Sequence, residues 1–267
     1  KILAYSTNQH AKKYAWVHLD VQTYTKQDRL FRSMQHQKAC YERFDGIYCV
    51  SENVKEAFSA KFGLTERVHV AYNMLDEQAI RRRKNEPVDD IPKGEFLMVS
   101  VGSLIPRKGF ERLIHICGLL KSRGYRFHLL ILGKGELYEQ LAEQVIDEHL
   151  LDSVQLLGFR DNPYPYMAAA DLYVCPSYVE GFSTVVSEAV VLETPVVTTD
   201  CSGMREILGD SEYGLITRNT EESLFEGLRT MLDKPEVYQY YQQRVRERAP
   251  FFYMEERLKA YEEILDQ

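Results

Sequence analysis

From Phe96 onward, short apolar runs alternate with longer stretches in which apolar residues recur every three or four positions. Apolar runs of four to seven residues bounded by turn residues read as strands buried on both faces, and the three-and-four spacing reads as helices with one apolar stripe. The strands are expected at 96–102, 127–133, 154–157, 172–175, 195–198 and 214–216. Between the first two, Phe110, Leu113, Ile114, Cys117 and Leu120 form such a stripe, and Leu137, Leu141, Val145 and Ile146 form another after the second. This alternation predicts one complete α/β domain over residues 95–248, a doubly wound parallel sheet with helices on both faces. Its connections, "GSLIPRKG", "LGKGE" and "FRDNPYP", carry the Gly, Pro, Asp and Ser of tight loops.

Residues 1–73 read differently. The stretches "KKYAWVHLD" and "GIYCVSE" look like two strands joined by a helix over 24–44, with a further helix over 52–61. Two strands cannot close a core, so this segment reads as the last third of a second Rossmann-like domain whose earlier strands are absent from the chain. Residues 74–94 are polar, include Arg81-Arg82-Arg83-Lys84, and fit an interdomain linker whose basic run is a solvated surface. In the final segment, 249–267, Phe251, Met254, Leu258, Tyr261 and Leu265 form a helical stripe expected to pack back against the front domain.

Composition narrows the function. With 45% hydrophobic and 27% charged residues, the 267-residue chain has the material for a packed core. No apolar run approaches the ~18 to 20 residues of a membrane span, so a cytoplasmic protein is expected. The net charge of −7 argues against a dedicated nucleic-acid binder. That charge is unevenly spread, +3 over residues 1–90 and −10 over 91–267, and the mildly basic front could face an anionic acceptor or the inner membrane surface as a peripheral contact. Five cysteines lie far apart without a Cys-x-x-Cys pair and are expected to be free, buried thiols.

In an open α/β sheet the ligand sits beyond the carboxyl ends of the strands, so the loops there are where chemistry is sought. After the fourth expected strand comes Glu180-Gly181-Phe182-Ser183-Thr184-Val185-Val186-Ser187-Glu188. Ser183 is a good N-cap, so a helix should start near Thr184 and leave unpaired amides at its mouth, a seat for a diphosphate. Glu188 would then lie about 7 Å along the helix from Ser183, at ~1.5 Å per residue, where a ribose diol could donate to it. Glu180 would lie on the opposite side of the phosphates, with the sugar. After the first strand, Gly102 and Ser103 lead to Arg107 and Lys108 just before a helix, where two cations call for an anion between them. Gly133 and Lys134 supply a tight turn after the second strand, and Phe159 follows the third, where a nucleobase could meet the backbone.

The segments "VGSLIPRKGF", "LLILGKGEL", "LLGFRDN", "DLYVCPSYVEGFSTVVSEAVVLETPVVTTDCSGMREIL" and "EYGLI", in this order and spacing, resemble the C-terminal domain of the retaining family 4 glycosyltransferases of GT-B fold, above all the bacterial capsule and lipopolysaccharide group. The likeness is close over residues 95–235. "YAWVHLD" and "CVSENVKEAF" resemble the end of that family's N-terminal domain, and "AYNMLD" its linker. The resemblance implies a GT-B-type chain, one complete Rossmann-like domain plus a partial second. It implies a hexosyltransferase that uses a nucleotide diphosphate sugar, UDP-hexose by family frequency, and a glycan or lipid-linked acceptor, with retention.

It further implies that Glu180 and Glu188 contact donor sugar and ribose, that Lys108 binds phosphate, and that His18 lies near the transferred sugar. The family's phosphate-binding Arg is replaced here by Ser103, a loss that Arg107 could make good. No Asp-x-Asp follows a strand, so the reaction is expected to need neither metal nor other cofactor, the cations and helix dipole stabilising the leaving diphosphate. Two other classes compete: a nucleotide-sugar-binding module without turnover, and a Rossmann epimerase or oxidoreductase. The second would need Gly-x-Gly-x-x-Gly and Tyr-x-x-x-Lys, which the sequence lacks.

Overall fold

The computed structural model describes residues 3–8 and 10–265, without the side chains of Gln27, Glu256, Ala260, Glu263, Ile264 and Leu265. The larger body carries a six-stranded parallel sheet in the order β6-β5-β4-β7-β8-β9: β4 Phe96–Val101, β5 Phe127–Leu132, β6 Val154–Gly158, β7 Leu172–Cys175, β8 Val196–Thr199 and β9 Leu215–Thr217. Four of its strands are buried almost throughout, which is why they appear in the sequence as continuous apolar runs rather than alternations.

The front lobe precedes it, with β1 Tyr14–Val17, α1 Met34–Tyr41, β2 Gly46–Cys49, α2 Glu52–Phe62, β3 Val68–Val70 and α3 Glu77–Arg83. The helices of the larger body are α4 Phe110–Ser122, α5 Tyr138–Asp147, α6 Tyr164–Ala169, α7 Thr184–Val191, α8 Met204–Leu208, α9 Glu221–Asp233, α10 Pro235–Arg248 and α11 Met254–Leu265.

Several front-lobe expectations are corrected. The small sheet has three parallel strands, β1-β2-β3, rather than two. The helix expected over 24–44 is a 3₁₀ turn, Lys26–Leu30, followed by α1, which Ser33 caps by accepting from His36 N. Residues 74–94 are not all irregular: α3 starts at the cap Asp76, buries Ile80 and carries most of the basic run. That run is less solvated than expected. Arg81 donates to the Tyr253 hydroxyl at 2.6 Å and Arg83 to Asp161 at 2.7 Å. In the larger body, Ile146 faces solvent at 54% exposure and leaves the α5 stripe to Leu141 and Val145.

The helix expected at the end does return to the front lobe. Tyr261 donates to Tyr72 O at 2.8 Å and its ring stacks on Trp16, whereas Leu258 is 41% exposed and lies off the contact. The Leu265 side chain, Asp266 and Gln267 lie outside the described residues. All five cysteines are free and buried.

The lobes are joined by polar contacts as well as apolar ones. Glu206 of α8 reaches across to the first turn of α2, accepting from Glu52 N at 2.8 Å and Asn53 N at 3.1 Å. A carboxylate on those orphan amides is a cap supplied by another lobe, favoured by the helix dipole. Ser202 Oγ donates to Asp20 at 2.8 Å, and Gly203 N to Asn53 Oδ1 at 3.2 Å, beside the same seam. Replacing Glu206 with Ala should therefore cost about 1 kcal/mol, the size of a lost helix cap. Urea denaturation followed by circular dichroism measures this, and an unchanged midpoint would mean the contact contributes nothing.

Candidate functional site

The strand order changes direction between β4 and β7. The chain winds from β4 out through β5 to β6, then returns to β7 and continues to β9. Loops leaving β4 and β7 therefore diverge and open a crevice at the carboxyl edge. The β4 loop holds Arg107 and Lys108, and the β7 loop holds Glu180 and the start of α7.

The two loops are locked together by backbone contacts that only small or buried groups permit. Gly109 has φ +68, and a Cβ there would lie 2.1 Å from Pro176 O. Arg112 of α4, only 3% exposed, donates through Nε to the same Pro176 O at 2.8 Å, and its guanidinium lies 3.8 Å from the centre of the Tyr178 ring. Tyr178 N in turn donates to Arg107 O at 2.8 Å. Burial holds the Arg112 pKa below its ordinary value.

At this junction Glu180, 5% exposed, is surrounded by donors. Lys108 Nζ lies 2.5 Å from its Oε1, Ser177 Oγ donates to the same oxygen at 2.7 Å, and Arg107 Nη1 stands 3.4 Å from Oε2. The sequence calls for an anion between the two cations, and in this structure a carboxylate from the neighbouring loop occupies that position. Arg107 also donates to Val179 O at 3.2 Å.

Beyond Glu180 the front lobe grips the loop. Ser51 Oγ donates to Gly181 O at 2.9 Å, and Asn73 Nδ2 to Phe182 O at 3.3 Å. A Cβ on Gly181 would lie 2.1 Å from His18 O, so only glycine lets the lobes approach this closely. His18, Asn73, Arg107, Lys108, Glu180 and Ser183, with Thr184 beyond, thus line one cavity of about 330 Å³.

The helix expected at Thr184 begins there. Its first backbone bond runs from Ser187 N to Ser183 O, so the amides of Thr184, Val185 and Val186 have no partner within the helix. Ser183 stands at the N-cap position but does not cap. Its hydroxyl makes no capping bond and is buried without a partner among the described residues. A buried, unsatisfied hydroxyl at a helix mouth is costly unless something outside the protein completes it.

A second cavity of about 320 Å³ adjoins β4, β5 and β6 and is lined by Gly102, Ser103, Gly133, Lys134, Phe159 and Pro163, among others. Gly102 and Ser103 therefore face the β5 and β6 loops, and Gly102 also lies against the Lys108 side chain, whose Cδ and Cε would stand 3.7 Å from a Cβ placed there. Phe159 is 60% exposed, and Lys134 Nζ lies 4.7 Å from its ring centre. A Cβ on Gly133 would collide with Gly102 O, which fixes how closely these two loops pack.

Glu188 lies one turn beyond Thr184 and Val185 on the same face of α7. It is half-buried, accepts from the Tyr164 hydroxyl at 3.2 Å, and its carboxyl is pushed up to about 7 by burial, which the Tyr164 hydrogen bond partly offsets. Ser177, Arg112, Asn73, Ser51 and Tyr164 were not singled out in the sequence. Their partners are 3 to 130 positions away, and nothing local marks them. Among the described residues, no three His, Cys, Asp or Glu side chains converge as a metal site, and no helix is long and apolar enough to cross a membrane.

The chain is 34% identical over 215 residues to the N-acetylgalactosamine-N,N'-diacetylbacillosaminyl-diphospho-undecaprenol 4-alpha-N-acetylgalactosaminyltransferase of Campylobacter jejuni, which covers 79% of this chain and 57% of that protein. It is 27% identical to the capsular polysaccharide biosynthesis glycosyltransferase CapM of Staphylococcus aureus, over 65% of this chain and 44% of CapM. The chain thus spans about half the length of the curated relatives it matches.

Among solved structures, a variant of S. aureus TarM in complex with fondaparinux, alpha-GlcNAc-glycerol and UDP superposes with TM-score 0.80 at 18% identity, covering 98% of this chain and 52% of TarM. Anabaena HepE in complex with UDP gives 0.77 at 20% identity, over 95% and 71%. These likenesses show the GT-B-type fold. The family model for glycosyl transferases group 1 matches residues 81–248, more than half of the chain, and the protein belongs to that family.

Proposed function

We propose that this chain is the donor-binding part of a retaining glycosyltransferase that transfers a hexose from UDP-hexose to a glycan or lipid-linked acceptor in surface polysaccharide biosynthesis. One observation carries the reading: Lys108, Arg107 and Glu180 meet at the mouth of α7, beside the unpartnered Ser183 hydroxyl and at the point where the sheet reverses. The lipid-linked acceptor is suggested by the diphospho-undecaprenol in the name of the Campylobacter relative.

In this reading the diphosphate sits on the amides of Thr184 to Val186 and on Ser183 Oγ, and takes Lys108 as its counter-ion. The base lies against Phe159 in the cavity beside Gly102, Ser103, Gly133 and Lys134, and the ribose diol donates to Glu188 between the two cavities. Glu180 and His18 then flank the sugar. The acceptor hydroxyl attacks C1 from the face that the diphosphate leaves. The C1–oxygen bond to phosphate breaks, the new glycosidic bond forms, and the acceptor proton passes to the departing phosphate oxygen. Lys108 and the α7 dipole meet the charge that builds on the diphosphate, a task that in other transferases falls to a divalent metal. Glu180 steadies positive charge at C1 and holds the sugar in place.

Titration calorimetry with UDP-, GDP- and ADP-sugars tests the binding reading. UDP-sugars should bind tightest, and Lys108→Ala should weaken them roughly tenfold to a hundredfold, the worth of a charge-assisted contact in a partly buried site. Equal, weak heats for all donors would overturn it. Turnover is tested separately by release of UDP in the presence of acceptor. Glu180→Gln should lower this by about two to three orders of magnitude while leaving donor affinity within about threefold, and EDTA should leave the unaltered protein's rate unchanged. Donor binding without any UDP release would instead favour a binding module.

A further inference from the structure

Residue Tyr164 opens α6 immediately after Pro163, which lines the cavity beside Phe159, whereas Thr184 and Val185 line the cavity that holds Lys108. Glu188 shares a helical face with Thr184 and Val185. The hydrogen bond from the Tyr164 hydroxyl to Glu188 Oε1 therefore ties the element that borders one cavity to the helix that borders the other, behind the residues that line them. It leaves Oε2 without a protein partner among the described residues.

The tyrosine is itself held in place. Asn162 Oδ1 accepts from Tyr164 N at 3.2 Å, and the Asn162 amide donates to Arg83 O at 2.8 Å and Glu86 at 2.7 Å. The Arg83 guanidinium lies 5.8 Å from the centre of the Tyr164 ring and is anchored by Asp161. The basic run of α3 thus acts as a buttress behind Tyr164.

We infer that Tyr164 is a positioning residue for nucleotide-sugar binding, holding one oxygen of Glu188 so that the other is presented where the two cavities meet, to the ribose diol. This rests on the donor-binding reading above. The charged and titratable groups around the pair are few. Arg83 and Asp76 stand on the Tyr164 side, and Tyr173 of β7, buried, feels the Glu188 charge from below. Burial alone pushes the Glu188 carboxyl up, and donation from Tyr164 pulls it back to about 7. A protonated Glu188 offers the diol fewer acceptors, so binding should weaken as pH falls through about 7. Loss of the phenol hydroxyl removes the one contact that favours the ionised form, which moves that transition to higher pH.

The test is the affinity for UDP-glucose between pH 5.5 and 9, measured for the unaltered protein, Tyr164→Phe and Glu188→Gln. A sugar diphosphate is used because its phosphates do not titrate in this range, unlike a terminal phosphate with its second pKa near 6. Tyr164→Phe should bind about fivefold more weakly at pH 7 and within about twofold of the unaltered protein at pH 9, the pattern of a moved titration rather than a damaged site. Glu188→Gln should bind weakly with no pH dependence.

An identical pH profile in Tyr164→Phe, at whatever overall affinity, would overturn the positioning role. So would pH-independent binding by the unaltered protein, with the donor site left standing in both cases. Failure of the folded, unaltered protein to bind UDP-glucose at any pH would remove the donor-binding reading first, and this inference with it.

Discussion

The rest of the site depends on the burial of Glu180 between two cations. A carboxylate at 5% exposure is tolerated only where its charge is matched and its lone pairs are filled, because an unpaired buried charge costs several kcal/mol. Lys108, Arg107 and Ser177 supply that match. They can do so only because two loops, from the paired strands at which the sheet reverses, are pressed into backbone contact at Gly109 and Pro176 and fastened by Arg112. The charges are thus assembled before any ligand arrives. In the donor-binding reading proposed above, an incoming diphosphate needs no rearranged scaffold and has only to compete with one carboxylate for Lys108.

The same loop is also where the lobes meet. Ser51 and Asn73 hold the carbonyls of Gly181 and Phe182, and the Tyr72 ring lies 5.1 Å from that of Phe182. Tyr72 is linked onward through Arg257 to Phe251, where the chain turns into α11, and burial together with Glu206 pushes its hydroxyl pKa well up. Separation of the lobes would therefore remove two hydrogen bonds and a ring contact from the residues next to Glu180. The contacts that join the lobes are thus the ones that hold the loop carrying Glu180.

How far the sequence revealed this depended on what each residue had to match. Strands β4 to β9 fell within one residue of expectation, and the four of them that are covered on both faces are written as uninterrupted apolar runs. Strand β3 escaped because it has only three residues with His69 at its centre, and α3 escaped because it buries little besides Ile80 beneath a basic surface. Lys108, Glu180 and the helix start at Thr184 were legible from residue type and position. Their pairing was not: Arg107 and Lys108 demand an anion in the sequence, but nothing local says that it comes from Glu180, 72 positions on. Ser183 is the instructive miss. Its type suits a cap, yet the backbone conformation leaves its hydroxyl unpaired at the helix mouth, and sequence does not specify which of its partners a serine will choose.

The two glutamates occupy opposite electrostatic situations, and the difference follows from their neighbours. Glu180 is buried against two cations, so its charge is compensated where it stands. Glu188 is half-buried against a phenol alone, and burial pushes its carboxyl up to about 7. A carboxyl raised above its unfolded value adds stability that is fully present below about 4.5 and lost as pH rises through about 7, so ionised Glu188 is a strained element of the ligand-free fold. In the donor-binding reading proposed above, that arrangement suits a pocket that takes a dianion. A second permanent negative charge beside the α7 mouth would repel diphosphate, whereas a carboxyl near its midpoint can stay neutral in the empty site. It can give up its proton when two hydroxyls arrive to solvate the charge. In that reading donor binding and proton release from Glu188 are coupled, and the phenol of Tyr164 sets how readily the exchange occurs.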